Sequence, residues 1–130
     1  LEMLPDGTGK GWHDNGQLSF EKLPDGTERY WHKNGQLSLE DLPHGPKRSW
    51  YENGQLNLET LPNNGRKRSW YENGQLRSEI LPDGTKRGWH KNGQLRYEAL
   101  PDGTTRGWDE NGQLYSKARF DGTGQEFLYF

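Results

Sequence analysis

Apart from Phe127-Leu128-Tyr129-Phe130, apolar residues in this 130-residue chain do not gather into a run; they return in a fixed rhythm on either side of the dipeptide Asn-Gly. Asn15-Gly16, Asn34-Gly35, Asn53-Gly54, Asn73-Gly74, Asn92-Gly93 and Asn111-Gly112 each have Trp three residues before the Asn and Gln-Leu directly after the Gly, at spacings of 19, 19, 20, 19 and 19 residues. A short fixed period marks a repeat architecture. Before each Asn-Gly runs a short polar–aromatic segment such as Glu28-Arg29-Tyr30-Trp31; after it comes one such as Leu37-Ser38-Leu39-Glu40-Asp41. These are strand patterns, and no segment shows helical periodicity. Asn-Gly between two such runs predicts a hairpin closed by a two-residue type I′ turn, with positive φ at both central residues.

A second punctuation mark follows each hairpin. Leu-Pro-Asp-Gly-Thr stands at Leu4 to Thr8, Leu23 to Thr27, Leu81 to Thr85 and Leu100 to Thr104, with variants at Leu42-Pro43-His44-Gly45 and Leu61-Pro62-Asn63-Asn64-Gly65. Pro presets φ at the first corner of a type I turn, and Gly takes the left-handed position after it. Two turns per repeat predict an all-β fold: an elongated, single-layer, twisted antiparallel meander of tandem β-hairpins. The expected organisation is one repeat domain over 1–130, with about six 19-residue repeats and a C-terminal capping strand at Phe127-Leu128-Tyr129-Phe130. About thirteen strands at sheet spacing would extend roughly 60 Å. Leu1-Glu2-Met3-Leu4 matches the end of a second strand, so the chain reads as a segment of a longer array, with an edge open to self-association.

The two-residue turn sets a register. Lys33 falls opposite Gln36, His32 opposite Leu37, Trp31 opposite Ser38, Tyr30 opposite Leu39 and Arg29 opposite Glu40. Carried along the chain, that register lines up Glu2, Lys10, Glu21, Arg29, Glu40, Arg48, Glu59, Arg68, Glu79, Arg87, Glu98 and Arg106 as one ladder of alternating charge, each opposed pair contributing roughly 0.2–1 kcal/mol. The ladder face also carries a Trp row (Trp12, Trp31, Trp50, Trp70, Trp89, Trp108), with Arg77 and Arg96 expected between indole rings as a cation–π stack. On the opposite face Gly11 meets Phe20 and Gly88 meets Tyr97. That face is also expected to hold the Leu row (Leu18, Leu37, Leu56, Leu76, Leu95, Leu114) and the residues His13, His32, Tyr51, Tyr71 and His90.

Composition changes this picture in one respect. Leu, Ile, Val and Phe make up only 21 of 130 residues, under the roughly 20 % usual for globular chains. Disorder pairs low hydrophobicity with high net charge, however, and the formal charge here is -2, with six Trp and six Tyr supplying apolar area. The composition therefore fits a thin sheet without a thick core. With no cysteine there is neither a disulfide framework nor a thiolate metal site. No apolar run reaches the ~20 residues that span a bilayer, no signal-peptide pattern opens the chain, and the near-neutral charge exerts no pull towards nucleic acid. The residues do not set the compartment, the cytoplasm being the favoured expectation.

The candidate chemistry has plain explanations. His13, His32 and His90 sit at equivalent strand positions, so even His13 and His32, two strands apart, are about 9.6 Å from one another, too far to share a metal directly. Asp6, Asp25, Asp83, Asp102 and Asp121 stand one per turn, whereas calcium gathers six to eight oxygens around one point. Each ladder Glu is flanked by basic residues that keep it ionised, and a single sheet lacks the concave pocket of an enzyme. The reading is a non-enzyme without cofactor or metal.

The run Trp70-Tyr71-Glu72-Asn73-Gly74-Gln75-Leu76-Arg77-Ser78-Glu79, followed by Pro82-Asp83-Gly84-Thr85-Lys86-Arg87-Gly88-Trp89, resembles the bacterial variant of the MORN repeat (membrane occupation and recognition nexus). The resemblance covers essentially the whole chain, with a shorter period than the family's usual pattern and Trp-His in three copies. It implies single-layer hairpin sheets that act as interaction modules, bacterial members often being antitoxin or immunity proteins and some eukaryotic ones binding phospholipid. The expected role is binding of a protein partner, in its sharpest form a toxin. Trp31, Trp50, Trp70 and Trp89 are the central anchors, with Arg77 and Arg96 beside them, an interface-type composition. The alternatives are an anionic membrane surface met by Lys47, Lys67 and Lys86, and a structural spacer in a longer array.

Overall fold

The computed structural model describes residues 1–120 and 126–128, with side chains to residue 118. Asp121, and Tyr129 and Phe130 of the expected capping strand, lie outside the described residues. The chain forms two compact units, residues 1–63 and 64–130. The first holds β1 (Glu2–Met3), β2 (Gly9–Trp12), β3 (Leu18–Lys22), β4 (Glu28–Trp31), β5 (Leu37–Asp41), β6 (Lys47–Trp50) and β7 (Leu56–Thr60). The second holds β8 (Lys67–Trp70), β9 (Leu76–Ile80), β10 (Lys86–Trp89), β11 (Leu95–Ala99), β12 (Thr105–Trp108), β13 (Leu114–Phe120) and β14 (Glu126–Leu128). Within each unit every strand pairs antiparallel with the next, in chain order. Each unit is thus a single-layer meander of hairpins, the all-β class that the repeat pattern predicts, and no helix occurs among the described residues.

A single layer leaves its side chains to be covered only by strand neighbours. Ala118 is the only buried hydrophobic residue described, and the remaining apolar side chains are half-buried or exposed. The other buried side chains are Thr8, Thr27, Thr85 and Thr104, each directly after an Asp-Gly turn.

The Asn-Gly loops differ from the predicted type I′ turn. Gly16, Gly35, Gly54, Gly74, Gly93 and Gly112 have φ between +85° and +90°, but no described non-glycine residue has positive φ. The Gly16 amide donates to the His13 carbonyl at 3.0 Å and the His13 amide to the Gln17 carbonyl at 2.8 Å, so Asp14, Asn15 and Gly16 form a three-residue loop. This is a type I turn followed by a left-handed glycine. The Asn side chain favours it: Asn15 Oδ1 accepts the Gln17 amide at 3.0 Å, closing a turn of its own around a right-handed Asn. The Leu-Pro-Asp-Gly-Thr turns have the same geometry. The Gly26 amide donates to the Leu23 carbonyl, the Leu23 amide to the Thr27 carbonyl, and Asp25 Oδ1 accepts the Thr27 amide. In the repeats that carry Leu-Pro-Asp-Gly-Thr, both turns are therefore one device with two sequences; the Leu42-Pro43-His44-Gly45 variant departs from it, Gly45 lacking the positive φ expected there.

The longer loop uses one residue more than predicted, and a β-bulge returns it on the following strand. Trp31 pairs with Leu37 rather than Ser38, Ser38 is passed over, and Tyr30 pairs with Leu39 and Arg29 with Glu40. The same step recurs after Trp12, Trp50, Trp70, Trp89 and Trp108. Away from the loop, loop extension and bulge cancel, and the predicted register holds.

Candidate interaction surfaces on the two sheet faces

Antiparallel partners point to the same side of a sheet. The pairing of Trp12 with Leu18, Trp31 with Leu37, Trp50 with Leu56, Trp70 with Leu76, Trp89 with Leu95 and Trp108 with Leu114 therefore puts each Leu on the Trp face. This corrects the expected Leu row on the opposite face. The bulge is the cause, because it inserts one residue between Leu and the rest of its strand and reverses the alternation there. Each hairpin thus carries a Trp–Leu pair beside its charged ladder residues.

The ladder is present within each unit. Arg29 Nε donates to Glu40 at 2.8 Å and Arg29 Nη1 to Glu21 at 3.5 Å. Arg48 donates to Glu59 at 2.8 Å, and Glu98 accepts from both Arg87 and Arg106 at 2.9 Å. Hydrogen bonding from Arg87, with a further one from Arg106, holds the Glu98 carboxyl below its ordinary value despite partial burial. The Arg29 guanidinium is pushed up by its bond to Glu40. One rung departs from expectation. Arg66, on the lengthened turn, takes the 2.8 Å contact with Glu79 and leaves Arg68 at 3.7 Å. The extra residue in Asn63-Asn64-Gly65 brings Arg66 within reach, and Asn64 Oδ1 anchors its amide at 3.0 Å.

The opposite face carries what the bulge displaces. A Cβ on Gly11 would meet both Ser19 and Phe20, and one on Gly107 would meet both Tyr115 and Ser116, so both bulge residues point to the glycine side. Arg77 and Arg96 are bulge residues too. The Arg77 guanidinium lies 5.6 Å from the centre of the Tyr71 ring, not between indoles, and Lys91 Nζ lies 5.9 Å from the same ring. The expected Arg–Trp stack is replaced by a cation–π cluster on the face away from Trp. The predicted aromatic–glycine contacts are present: Gly88 pairs with Tyr97, whose ring covers it so closely that a Cβ would overlap it. Phe20 and Tyr30 pack on this face at 5.0 Å between centroids, and burial, with Glu28 nearby, pushes up the Tyr30 hydroxyl.

Lys47, Lys67 and Lys86 are all exposed, on strand positions opposite the ladder. Lys67 and Lys86 each pair with Ile80, whereas Lys47 pairs with Asp41 in a shallow recess also lined by Glu28. Two carboxylates, Glu28 and Asp41, thus share the recess with Lys47.

The histidines belong to the framework. Nε2 of His13 lies 2.7 Å from the Trp31 carbonyl, Nε2 of His32 2.8 Å from that of Trp50, and Nε2 of His90 2.9 Å from that of Trp108. A carbonyl only accepts, so Nε2 carries the proton in each. Tyr71 makes the equivalent bond through its hydroxyl to the Trp89 carbonyl at 2.7 Å. One turn further out, Asn15 Nδ2 donates to the Lys33 carbonyl and Asn92 Nδ2 to that of Glu110. These side-chain bonds, one repeat apart, tie the Asn-Gly loops of each unit edge to edge. The turn aspartates are occupied likewise: Asp6, Asp25 and Asp83 are lowered chiefly by the amide of the following Thr. Among the described residues no three His, Cys, Asp or Glu side chains gather as a metal site.

Such a single-layer hairpin repeat is a scaffold that presents two open faces. The chain belongs to the MORN repeat variant family, whose pattern matches residues 5–23, 24–41, 43–61, 63–81, 82–100 and 101–121. Among curated proteins none matches by similarity. Two solved structures share the fold. The G-box domain of the microcephaly protein CPAP is 21% identical, with a TM-score of 0.51 over 100% of this chain and 80% of that one. The TCP10 domain of Danio rerio CPAP, solved in complex with a peptide of Danio rerio STIL, is 25% identical, with a TM-score of 0.51 over 99% of this chain and 72% of that one.

Proposed function

We propose that the chain is a non-catalytic protein-binding module that holds a partner segment against its Trp–Leu stripe. One observation carries this reading: every hairpin sets a Trp beside a Leu on a face that nothing within its own single layer covers. Trp12 is 48 % exposed and Leu114 44 %, and the Trp and Leu residues of the inner hairpins are half-buried. Trp is enriched at interface hot spots, where a large rigid side chain gives contact area at low entropic cost. The charged ladder beside the stripe is already paired, so it forms a polar rim that a partner need not desolvate. The zebrafish CPAP domain, of similar fold, was solved with a peptide bound, which supports the same class of role here.

Trp31, Trp50, Trp70 and Trp89 are the proposed anchors; Arg77 and Arg96, on the other face, do not join them. The repeats over 1–130 are proposed to act as one domain. Binding of a toxin is the narrower form of this proposal and draws on the family resemblance alone.

The test is selection of displayed random peptides, followed by affinity measurements at about 0.15 M and 0.5 M salt. Peptides rich in aromatic and aliphatic residues are expected, with little salt dependence and at least about tenfold weaker binding to Trp50→Phe or Trp89→Phe, conservative variants checked for folding by circular dichroism. Failure to select any peptide would favour a spacer. Binding restricted to anionic vesicles, lost at high salt and in Lys67→Gln/Lys86→Gln, would replace the proposal with a membrane-surface role.

A further inference from the structure

In each unit a recess opens on the face opposite its Trp–Leu pairs, and the two recesses differ in charge. In the first unit, a recess of about 430 Å³ is lined by Glu28, Tyr30, Ser38, Leu39, Asp41 and Lys47, two carboxylates against one ammonium. In the second, one of about 490 Å³ is lined by Tyr71, His90, Lys91, Arg96 and Glu110. Arg77 does not line that recess itself, but its guanidinium lies 5.6 Å from the centre of the Tyr71 ring, to which Lys91 Nζ lies at 5.9 Å. Three exposed cations therefore surround one half-buried aromatic floor, with a single carboxylate among them.

These cations are distinct from the ladder. None of the ion pairs among the described residues involves Arg77, Lys91 or Arg96. Nor are their positions set by the repeat. The bulge residues equivalent to Arg77 and Arg96 in the first unit are Ser19, Ser38 and Asn57, which carry no charge. The floor is held rigid, since the Tyr71 hydroxyl is tied to the Trp89 carbonyl and His90 Nε2 to that of Trp108. Two cations drawn to one fixed ring are kept close together without neutralising each other, an arrangement that favours an anion in the adjoining recess.

We propose that this recess is a second docking site, specific for an acidic peptide segment of a protein partner. Glu or Asp side chains enter over Tyr71 and accept from Arg77, Arg96 and Lys91. Arginine guanidinium groups bind carboxylate through two parallel hydrogen bonds, and Glu110 at the rim is placed to accept a peptide N–H. A flexible acidic side chain reaches into such a concavity, whereas the plane of a bilayer stays at its rim. The site deepens the reading of the chain as a protein-binding module but lies on the other face, so each can fail alone.

The test uses the full chain and a fluorescein-labelled peptide of alternating Glu, Asp and Gly, beside its Gln, Asn and Gly counterpart. The acidic peptide is expected to bind at least about tenfold more tightly than the neutral one and to weaken as salt rises. Arg77→Gln/Arg96→Gln is expected to abolish that difference, while Lys47→Gln in the first unit and Trp50→Phe on the other face preserve it. Circular dichroism checks that the double variant is folded; Arg77→Lys/Arg96→Lys, which keeps charge without the guanidinium fork, is expected to restore part of the binding. Equal binding of the two peptides, or full binding by the double glutamine variant, overturns the proposal. So does an anion effect confined to phosphatidylserine vesicles or to inorganic phosphate.

Discussion

Glu98 accepts hydrogen bonds from arginines on both neighbouring strands, and its carboxyl titrates below the ordinary value of 4.5. A carboxyl lowered in the folded state stabilises the fold above its unfolded value, and that contribution is lost as pH falls through the lowered one. Glu98→Gln is therefore expected to cost about 1 kcal/mol at neutral pH, for two partly exposed cross-strand pairs. The gap from wild type should close in acid, as read from urea melts across pH; a gap independent of pH would mean that packing and not charge is lost. Gly88→Ala places a methyl group where the Tyr97 ring lies and is expected to cost about 1–3 kcal/mol. Gly88→Ala/Tyr97→Leu should recover part of that stability in thermal melts. At this scale much was legible in the sequence, since Glu against Arg and Gly against Tyr are pairings whose chemistry announces the register. Arg66 was not legible: its capture of Glu79 depends on the path of a turn one residue longer. Nor were the buried threonines, which read only as turn residues.

At the scale of the element, the turn was legible in place and not in type. Asn-Gly serves both a type I′ turn and a type I turn ending in a left-handed glycine, and the dipeptide alone does not choose between them. The residue that chooses is Asn34, whose Oδ1 takes the Gln36 amide at 2.9 Å while its Nδ2 reaches the Glu52 carbonyl at 2.9 Å. Asn34→Ala loses both bonds and is expected to cost about 1 kcal/mol. Asn34→Asp keeps the acceptor but not the donor, and its melting temperature should fall between the two. Gly35→Ala, at φ +88°, is expected to cost about 1–2 kcal/mol in strain. The bulge had no separate sequence signal. It follows from the loop being one residue longer while the charged rungs stay matched, and it alone moves Leu to the Trp face and Arg77 and Arg96 away.

At the scale of the whole molecule, the consequence within each of the two units is a pair of unlike faces. On one, Trp–Leu pairs lie beside a self-satisfied ion ladder; on the other, glycine, aromatic and bulge residues alternate with unevenly spread charge. Sequence periodicity places residues on faces only as long as alternation is unbroken, which is why the Trp row and the ladder were foreseen together and the position of Leu was not. The family fixes the scaffold, while the partner depends on the side chains that each face exposes.

The claim that the Trp–Leu stripe is the binding face is tested most directly by hydroxyl-radical footprinting of the chain, alone and with its tightest selected peptide. Trp31, Trp50, Trp70 and Trp89 are expected to be protected from oxidation in the complex, while Tyr30 and Tyr97, each 38 % exposed on the opposite face, react as in the free chain. Protection of the two tyrosines with the tryptophans unchanged would contradict it.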